Sequence, residues 1–411
     1  MKPVVFVTAN QSKHGEVQRL LAGLDVRWER LDLARPDTSD LEDIARARVV
    51  EAYKRLGVPC FVENTGLYLR SCDSHDTSSR RSLCDHAGAP GASFKRTWRE
   101  LGESGFAQRF GGSQGVARVV VALAESADPS EVQLFSGSIS GELLRAPRGD
   151  ARPGAGGFPA SLGWDRLWVP DGYDRTLGEM AGSTYVVNMR ALPYLELGEH
   201  LRGRTAPGTF EAHVTIAAQP SGIEAFRAAC SELGLKCISI ELPEGETRAQ
   251  PMTGSFHRGE LLDVQQEVLT IARELVKRGF DVTRTKIEAY GRLDWTPATD
   301  EEARSAPSTS YFELHMKLAL PAAMDLGPLV SRFKELGAHL SRNAHKAAGV
   351  DGIAEHFVTV RAHRVGRITA EARFAAICEE IERAGFAVRN RIREYTVFDT
   401  NVGLDRGWID P

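Results

Sequence analysis

The second half of the chain contains an internal repeat, and a repeat restricts the fold of that half to two similar units. Residues 210–216 (FEAHVTI) match residues 312–318 (FELHMKL), and residues 256–258 (FHR) match residues 362–364 (AHR). Each copy reads strand, helix, strand, strand, helix, strand. Its second helix, over 261–278 or 369–384, ends at a glycine that precedes a strand. The pattern predicts two ferredoxin-like units, over 209–307 and 308–411, that pack as a pseudo-dimer.

Each copy carries two histidines on the strands that are neighbours in this fold. His213 and His257 fall on strands 1 and 3 of the first copy, and His315 and His363 are their counterparts in the second. Paired histidines bind anions or exchange protons. The alternative is that these histidines cap strand ends or lie between the units. His213-Val-Thr is similar to half of the motif of the two-histidine phosphoesterases, but the second copy reads His-Met-Lys, and there the motif fails.

The first residues of the chain predict a phosphate site. Residues 3–7 are an apolar strand, and a helical apolar period covers residues 16–24. Thr8, Asn10 and Lys13 lie between them. A turn of this kind aims backbone N–H groups outward, with Lys13 as the countercharge of a phosphate. Ordinary helix caps use the same residue types, so the turn alone is a weak signal.

A second polar turn is predicted at residues 61–67 (FVENTGL). The apolar run over 58–62 predicts a buried strand that delivers Glu63 and Asn64 to its carboxyl end and then turns. Ligands of open α/β sheets bind beyond such ends. With an aspartate at position 64, the two acids would hold a divalent metal on a polyphosphate. Asn64 brings no charge and accepts no proton.

The remaining elements of the first half are those of an α/β domain. Strands are predicted over 26–33, 115–124 and 132–139, and helices over 41–56 and 94–101. The polar loop 71–86 and the Gly/Pro-rich loop 148–161 are predicted inserts beside the cleft, and residues 201–210 are a linker.

Composition excludes several classes of protein. The 411 residues fit two or three domains, and 42% hydrophobic with 26% charged residues is typical of soluble globular proteins. With a net charge of -4, the chain as a whole lacks the positive charge that is typical of nucleic-acid-binding proteins. With no signal peptide and no apolar run that could cross a bilayer, a cytoplasmic protein with reduced thiols is expected. The alternative for Cys72 and Cys84 is a disulfide bridge, or a metal site together with His75 and His86.

Several segments of the first half together resemble the inosine triphosphate pyrophosphatase (ITPase) family. They are VTANQSK (7–13), VENTGL (62–67), GAPGASFK (88–95), FSGSISG (135–141), PRG (147–149), LGWD (162–165) and PDGYDRTLGEM (170–180). They assign residues 1–203 to a nucleotide-binding domain. The resemblance implies an elongated α/β fold with a central cleft, and a homodimer. It also implies cleavage of deaminated purine nucleoside triphosphates to monophosphate and pyrophosphate with Mg²⁺.

The resemblance also implies roles for individual residues. The expected triphosphate ligands are Thr8, Asn10, Lys13 and Lys95, with Arg48 in the place of a phosphate-side lysine of the family. The expected base pocket consists of Gly163, Trp164, Asp165 and Arg190.

The departures from the family pattern concern the chemistry. Asn64 replaces the metal-binding aspartate, and a second expected acid has no counterpart near Asp32 and Arg35. The family's Ser-His-Arg, which reads the purine base, corresponds here to residues 188–190 (NMR), so only the arginine is kept. A lysine that precedes it in the family falls on Thr184.

Three functions are consistent with this pattern. The first is a binding protein or sensor that holds ITP, dITP or XTP with weak or absent hydrolysis, while its second half transmits occupancy or docks a partner protein. The second is a working pyrophosphatase in which Glu63 alone holds Mg²⁺. The third places the chemistry in the second half, as a phosphoesterase acting on a product of the first. Because Mg²⁺ beside a triphosphate needs two or more anionic oxygens, the first is favoured.

Overall fold

The computed structural model describes residues 3–9, 12–34, 36–38, 40–70, 80–82, 92–149, 164–180, 182–203, 207–218, 222–291, 293–343 and 352–409. The chain divides into two compact units, residues 2–203 and 204–411. Within the described ranges, no helix is both long and apolar enough to cross a membrane. Most of the predicted inserts at 71–86 and 148–161, with Cys72, Cys84, His75 and His86, lies outside these ranges.

The first unit is an α/β domain built on one mixed sheet. Its elements are β1 (Val4–Val7), α1 (Ser12–Leu20), β2 (Val26–Glu29), α2 (Leu41–Leu56), β3 (Cys60–Arg70), β4 (Arg80–Ser82), α3 (Ala92–Phe110), β5 (Ser113–Ala124), β6 (Gln133–Leu143), β7 (Trp168–Pro170), α4 (Thr184–Val187) and α5 (Ala191–Arg202). The strand order is β2-β1-β3-β5-β6-β7, and β4 pairs with β3. Strand β1 is parallel to β2 and β3, and the other pairs are antiparallel.

Helix α2 spans the predicted residues because local signals set both of its ends. The Asp40 side chain accepts hydrogen bonds from the backbone N–H groups of Glu42 and Asp43, and Gly57 ends the helix with a φ of 67°. The apolar face of α2 packs on the sheet. This core contains Val5, Val7, Leu41, Ala45, Val49, Val50, Ala52, Val62, Val120 and Ala122.

The predicted turn after Asn64 is wrong, because strand β3 continues to Arg70. Strand β5 pairs with it antiparallel along its length, from Cys60↔Ala124 to Leu69↔Gly115, and this long-range pairing holds the polar residues extended. The parallel pairing with β1 stops at Val7↔Val62. Glu63 and Asn64 therefore lie beside the carboxyl end of β1, although their own strand does not end there.

The second unit is a closed barrel with helices. Its elements are β8 (Gly208–Ile216), α6 (Ile223–Glu232), β9 (Lys236–Glu241), β10 (Ala249–Gly259), α7 (Leu261–Lys277), β11 (Val282–Tyr290), α8 (Asp300–Ser305), β12 (Tyr311–Pro321), α9 (Gly327–Glu335), β13 (His339–Asn343), β14 (Ile353–His363), α10 (Arg367–Arg383) and β15 (Val388–Asp399). The order around the barrel is β10-β8-β11-β15-β12-β14-β13-β9.

Both halves of the barrel follow the predicted order of strands and helices. The neighbours are β9-β10-β8-β11 in the first half and β13-β14-β12-β15 in the second, so the pairing repeats as well. Two antiparallel pairs, β11 with β15 and β13 with β9, join the halves into one closed sheet. The strands of the repeats thus form one barrel.

The predicted equivalence of His257 and His363 is wrong at the level of strand register. His257 lies opposite Phe210 on β8, whereas His363 lies opposite Tyr311 on β12. Relative to His213 and His315, these partners are three and four residues earlier in the chain. Since side chains alternate between the faces of a strand, a one-residue shift places the two histidines on opposite faces of the barrel wall.

Candidate functional site

Glu63 is the centre of a buried cluster of charged side chains in the first unit. Lys13 Nζ lies 2.7 Å from Glu63 Oε1, and Arg190 donates to both oxygens at 3.0–3.1 Å. The Tyr194 hydroxyl donates to Oε2 at 2.8 Å, and Thr65 Oγ1 donates to Oε1 at 2.9 Å. Burial opposes ionisation of Glu63, but Arg190 and Lys13 outweigh it and hold its pKa well below the usual range.

Arg190 links this cluster to the loop before α5. Its Nη1 lies 3.1 Å from Glu16 Oε2, and Asn188 Nδ2 donates to Glu16 Oε1 at 2.6 Å. The backbone N–H of Arg190 donates to Asn188 Oδ1 at 2.7 Å. Burial raises the pKa of Glu16, and Asp165 and Glu63 add to that rise while Arg190 opposes it. The residues in the place of the family's Ser-His-Arg therefore hold an acid of α1.

Asn64 faces the opposite side of β3 from Glu63, because consecutive residues of a strand point to opposite faces. Its Oδ1 accepts a hydrogen bond of 2.6 Å from Arg48 Nη1 on α2. The side chain is buried, and its Nδ2 has no hydrogen-bond partner among the residues that the structure describes. The two residues that the sequence placed in one metal site thus contact different helices. Glu63 therefore does not take over the position of Asn64.

The described residues do not fit the Mg²⁺ that the family resemblance implies. Magnesium needs anionic oxygens that are free to bind it. The oxygens of Glu63 already accept from Lys13, Arg190, Tyr194 and Thr65, and the oxygen of Asn64 accepts from Arg48. Among the described residues, no group of three or more His, Cys, Asp or Glu side chains could hold a metal.

The other predicted residues of the first unit are placed as follows. Thr8 follows β1. Its backbone N–H donates to the backbone carbonyl of Glu29, and its own carbonyl accepts from Trp28 Nε1 at 2.8 Å. Trp164 is buried at the turn before β7, and Asp165 lies near enough to Glu16 to affect its pKa. Asn10, Gly163 and the side chain of Lys95 lie outside the described residues.

Two residues of the cluster were missed by the sequence interpretation. Glu16 lies three positions after Lys13, a spacing that places both on one side of α1, so the signal was present. Tyr194 is 131 positions from Glu63 and lies on a mostly apolar helix, so the sequence offers no sign of their contact.

The histidines of the second unit do not form the predicted pairs. His257 Nδ1 lies 2.6 Å from Glu267 of α7, and its Nε2 lies 2.8 Å from Ser255 Oγ. His363 packs on the Tyr311 ring, with centroids 4.5 Å apart. Burial and the nearby Arg361 lower the pKa of His363 to about 4.

His213 and His315 instead lie in carboxylate clusters at equivalent places of the two halves. His213 Nε2 lies 3.6 Å from Glu288 and 3.9 Å from Glu211, while its Nδ1 lies 2.9 Å from the carbonyl of Thr253. Burial lowers the pKa of His213, and Lys286 lowers it further.

His315 has the opposite charge preference. Its Nε2 lies 3.4 Å from Glu313 and 3.3 Å from Glu394. Burial opposes the charged ring, but the hydrogen bonds to these two carboxylates raise the pKa of His315 to about 10. Three of the four predicted histidines, His213, His257 and His315, therefore lie beside carboxylates, which do not suit an anion.

Comparison with known proteins gives matches that involve about half of the chain. The sequence profile of the Ham1 family matches residues 4–185. A dITP/XTP pyrophosphatase from Ignicoccus hospitalis is 27% identical over 210 residues, which are 49% of this chain and 98% of that protein. Inosine triphosphate pyrophosphatase 1 of Trypanosoma cruzi is 30% identical over 182 residues, 43% of this chain and 80% of that protein. A solved structure of a HAM1 protein from Coxiella burnetii aligns at 20% identity and a TM-score of 0.34, over 49% of this chain and 99% of its own.

Proposed function

Because the chain belongs to the Ham1 family through residues 4–185, we propose that its first unit binds purine nucleoside triphosphates that carry a deaminated base. The two relatives named above are described as pyrophosphatases for dITP, XTP or inosine triphosphate. ITP, dITP and XTP are therefore the ligands to try first. Hydrolysis is weak or absent, so that the protein acts as a nucleotide sensor or binding subunit.

The environment of Asn64 carries this proposal. A carboxylate at this position would serve as metal ligand or as base for the attacking water, but an amide has almost no basicity. Its only oxygen already accepts from Arg48 at 2.6 Å. Loss of one general base typically costs ~10²–10⁴ in rate. The cations expected to hold phosphate, Lys13 and Arg48, are still present.

One experiment separates binding from turnover. ITP, dITP and XTP are offered to the full chain with Mg²⁺ or Mn²⁺, and pyrophosphate release is measured beside calorimetric binding on the same sample. We expect binding with turnover far below ~1 per second, the lower end of ordinary enzymes. Asn64→Asp should raise turnover at least about tenfold, which corresponds to ~1.4 kcal/mol in barrier. The gain stays partial, because Met189 still replaces the residue that reads the base.

The second candidate is an active pyrophosphatase that cleans the nucleotide pool. The names of the relatives favour it, since both describe pyrophosphatases. Turnover of the natural chain at ~1 per second or faster would establish this candidate and remove the sensor proposal. In that case Asn64→Asp would bring little gain.

For the second unit we keep the hypothesis of two ferredoxin-like repeats that transmit nucleotide occupancy or dock a partner protein. The repeated order of strands and helices in the barrel supports the fold hypothesis. The third candidate, a phosphoesterase with paired histidines, loses its support because His213 and His257 lie on opposite faces of the wall. The family resemblance further suggests a cytoplasmic protein and a homodimer, and light scattering of the purified chain would test the homodimer.

A further inference from the structure

The orientation of the Asn64 amide is fixed by its neighbour. An arginine guanidinium only donates hydrogen bonds, so the Asn64 atom 2.6 Å from Arg48 Nη1 must be the oxygen. The amide nitrogen then occupies the other branch of the side chain. An aspartate at this position would place a second, negatively charged oxygen there instead. With asparagine in the place of the family's aspartate, a hydrogen-bond donor therefore stands where the family has an acceptor.

The Asn64 Nδ2 donor is buried, and none of the described residues accepts a hydrogen bond from it. Asn64 is 7% exposed, and its Nδ2 has no partner among the described residues. Buried polar groups in folded proteins are nearly always hydrogen-bonded, so an amide N–H that no described residue satisfies points to an acceptor outside the described part of the chain. Phosphate oxygens are acceptors of this kind.

The position of Asn64 is suited to a ligand at the end of β1. Pairing between β1 and β3 stops at Val7↔Val62, two residues before Asn64. Ligands of open α/β sheets bind in the crevice beyond such strand ends. Arg48 is on the same side and supplies a positive charge next to the amide.

Neither residue of the Glu63–Asn64 pair has an oxygen free to bind a metal. Glu63 lies on the other face of β3 and is neutralised by Lys13 and Arg190. The oxygen of Asn64 is taken by Arg48. A metal at this place would face a guanidinium and amide hydrogens, which repel it. An anion would find the donors that it needs.

We propose that Asn64 Nδ2 donates directly to a triphosphate oxygen beside Arg48, and that the first unit therefore binds its nucleotide without a divalent cation. This inference rests on the proposed function, because it concerns the same ligand. It goes further by assigning Asn64 a binding role of its own. The amide takes over part of the charge stabilisation that a metal would otherwise provide.

Calorimetric titration of the full chain with ITP tests the inference. The titration is performed in excess EDTA and again in excess Mg²⁺. We expect the natural chain to bind equally well in both buffers. Asn64→Asp should bind at least about tenfold more weakly in EDTA, because a carboxylate repels phosphate where the amide donated a charge-assisted hydrogen bond. Its affinity should recover when Mg²⁺ is added.

The matched control is Asn390→Asp, which adds the same charge at an exposed asparagine of the second unit. It should bind ITP like the natural chain in both buffers. Binding by the natural chain that disappears in EDTA and returns with Mg²⁺ would overturn the inference and leave the proposed function intact. Absence of ITP binding in both buffers would refute both proposals. Equal binding by Asn64→Asp in EDTA would remove Asn64 from the site.

A direct measurement guards against a variant that folds poorly. The side-chain NH₂ resonances of a ¹⁵N-labelled chain are followed by NMR while inorganic tripolyphosphate is added in EDTA. Arg48 can donate to an aspartate as well as to an amide, so Asn64→Asp should fold. The pair of NH₂ resonances that is missing from the spectrum of this variant belongs to Asn64. We expect this pair to shift with tripolyphosphate. A pair that does not move while other signals of the first unit do would contradict the direct bond.

Discussion

Glu63→Gln should destabilise the first unit strongly, because Glu63 is the shared acceptor of a buried cation cluster. The substitution keeps the size of the side chain but removes the charge that Lys13 approaches to 2.7 Å and that Arg190 contacts with two nitrogens. Removing one partner of a buried ion pair typically costs ~3–5 kcal/mol of folding stability, because the other charge stays buried without compensation. We expect a loss in this range for Glu63→Gln. For a unit of this size, that loss lowers Tm by roughly 6–20 °C.

Calorimetric melting of the natural chain and two variants measures this effect. The control is Glu42→Gln, which makes the same chemical change at an exposed glutamate 3.7 Å from an exposed Arg118. An exposed pair of this kind contributes ~0–1 kcal/mol, so the control should melt close to the natural chain. Both substitutions lie in the first unit, so the two variants report on the same part of the chain.

The pH dependence gives an independent check of the same cluster. The pKa of Glu63 is lowered in the folded chain, so its contribution to stability is present above the unfolded value of ~4.3 and is lost as the pH falls below it. The gap between the natural chain and Glu63→Gln should therefore stay constant down to about pH 5 and narrow as the pH falls further, towards about pH 3. The reasoning is refuted if Glu63→Gln melts no lower than Glu42→Gln at neutral pH.

Three further predictions concern both units. Lys13→Ala and Lys95→Ala should each weaken ITP binding by ~1.5–3 kcal/mol, the range of a charge-assisted hydrogen bond, and unchanged calorimetric affinities would remove them from the phosphate site. The pKa of His315 is raised to about 10 from an unfolded value of ~6.5, so its contribution to stability is complete below ~6.5 and is lost as the pH rises through about 10. Denaturant unfolding of the natural chain and His315→Gln should therefore converge at high pH, and a constant difference would contradict this. Asp405→Asn weakens a buried acceptor that Arg284 and Arg361 share, so unfolding of the second unit should become easier by ~3–5 kcal/mol, whereas Glu267→Gln at an exposed carboxylate serves as the control.

The sequence predicted those elements whose ends depend on local signals. Helix α2 lies over the predicted residues because Asp40 and Gly57 act within a few positions of its ends. The order of elements in the repeat was equally legible, since glycines and apolar periods mark each helix. The continuation of β3 past Asn64 was not predictable in this way, because its cause is pairing with β5, some fifty positions later.

Contacts within the site depend on side chains far apart in the chain. Arg190 was assigned to the base pocket, and its bond to Glu63 joins residues separated by 127 positions. No pattern in the sequence indicates that these two would neutralise each other. The strand register of His257 and His363 was hidden for a similar reason. A shift by one residue leaves the sequence match intact but moves the side chain to the other face.

One strand position explains why the two carboxylate clusters of the barrel differ. Glu288 lies opposite Glu211 as Glu394 lies opposite Glu313, so these acids occupy equivalent places in the two halves. By the same register, Lys286 lies opposite His213 and Ile392 lies opposite His315. The ammonium of Lys286 bridges Glu288 and Glu313 at 2.8 and 2.9 Å, and its charge favours a neutral His213.

The second half has an isoleucine where the first half has this lysine, so the positive charge beside Glu394 must come from another group. His315 supplies it by taking up a proton, which is why its pKa rises to about 10 while that of its counterpart falls. Buried carboxylates need a cation in either half, because an unpaired charge inside a protein is costly. The repeat therefore kept its arrangement of acids: Lys286 bridges an acid of each half, and the protonated His315 is the cation beside Glu394 in the second half.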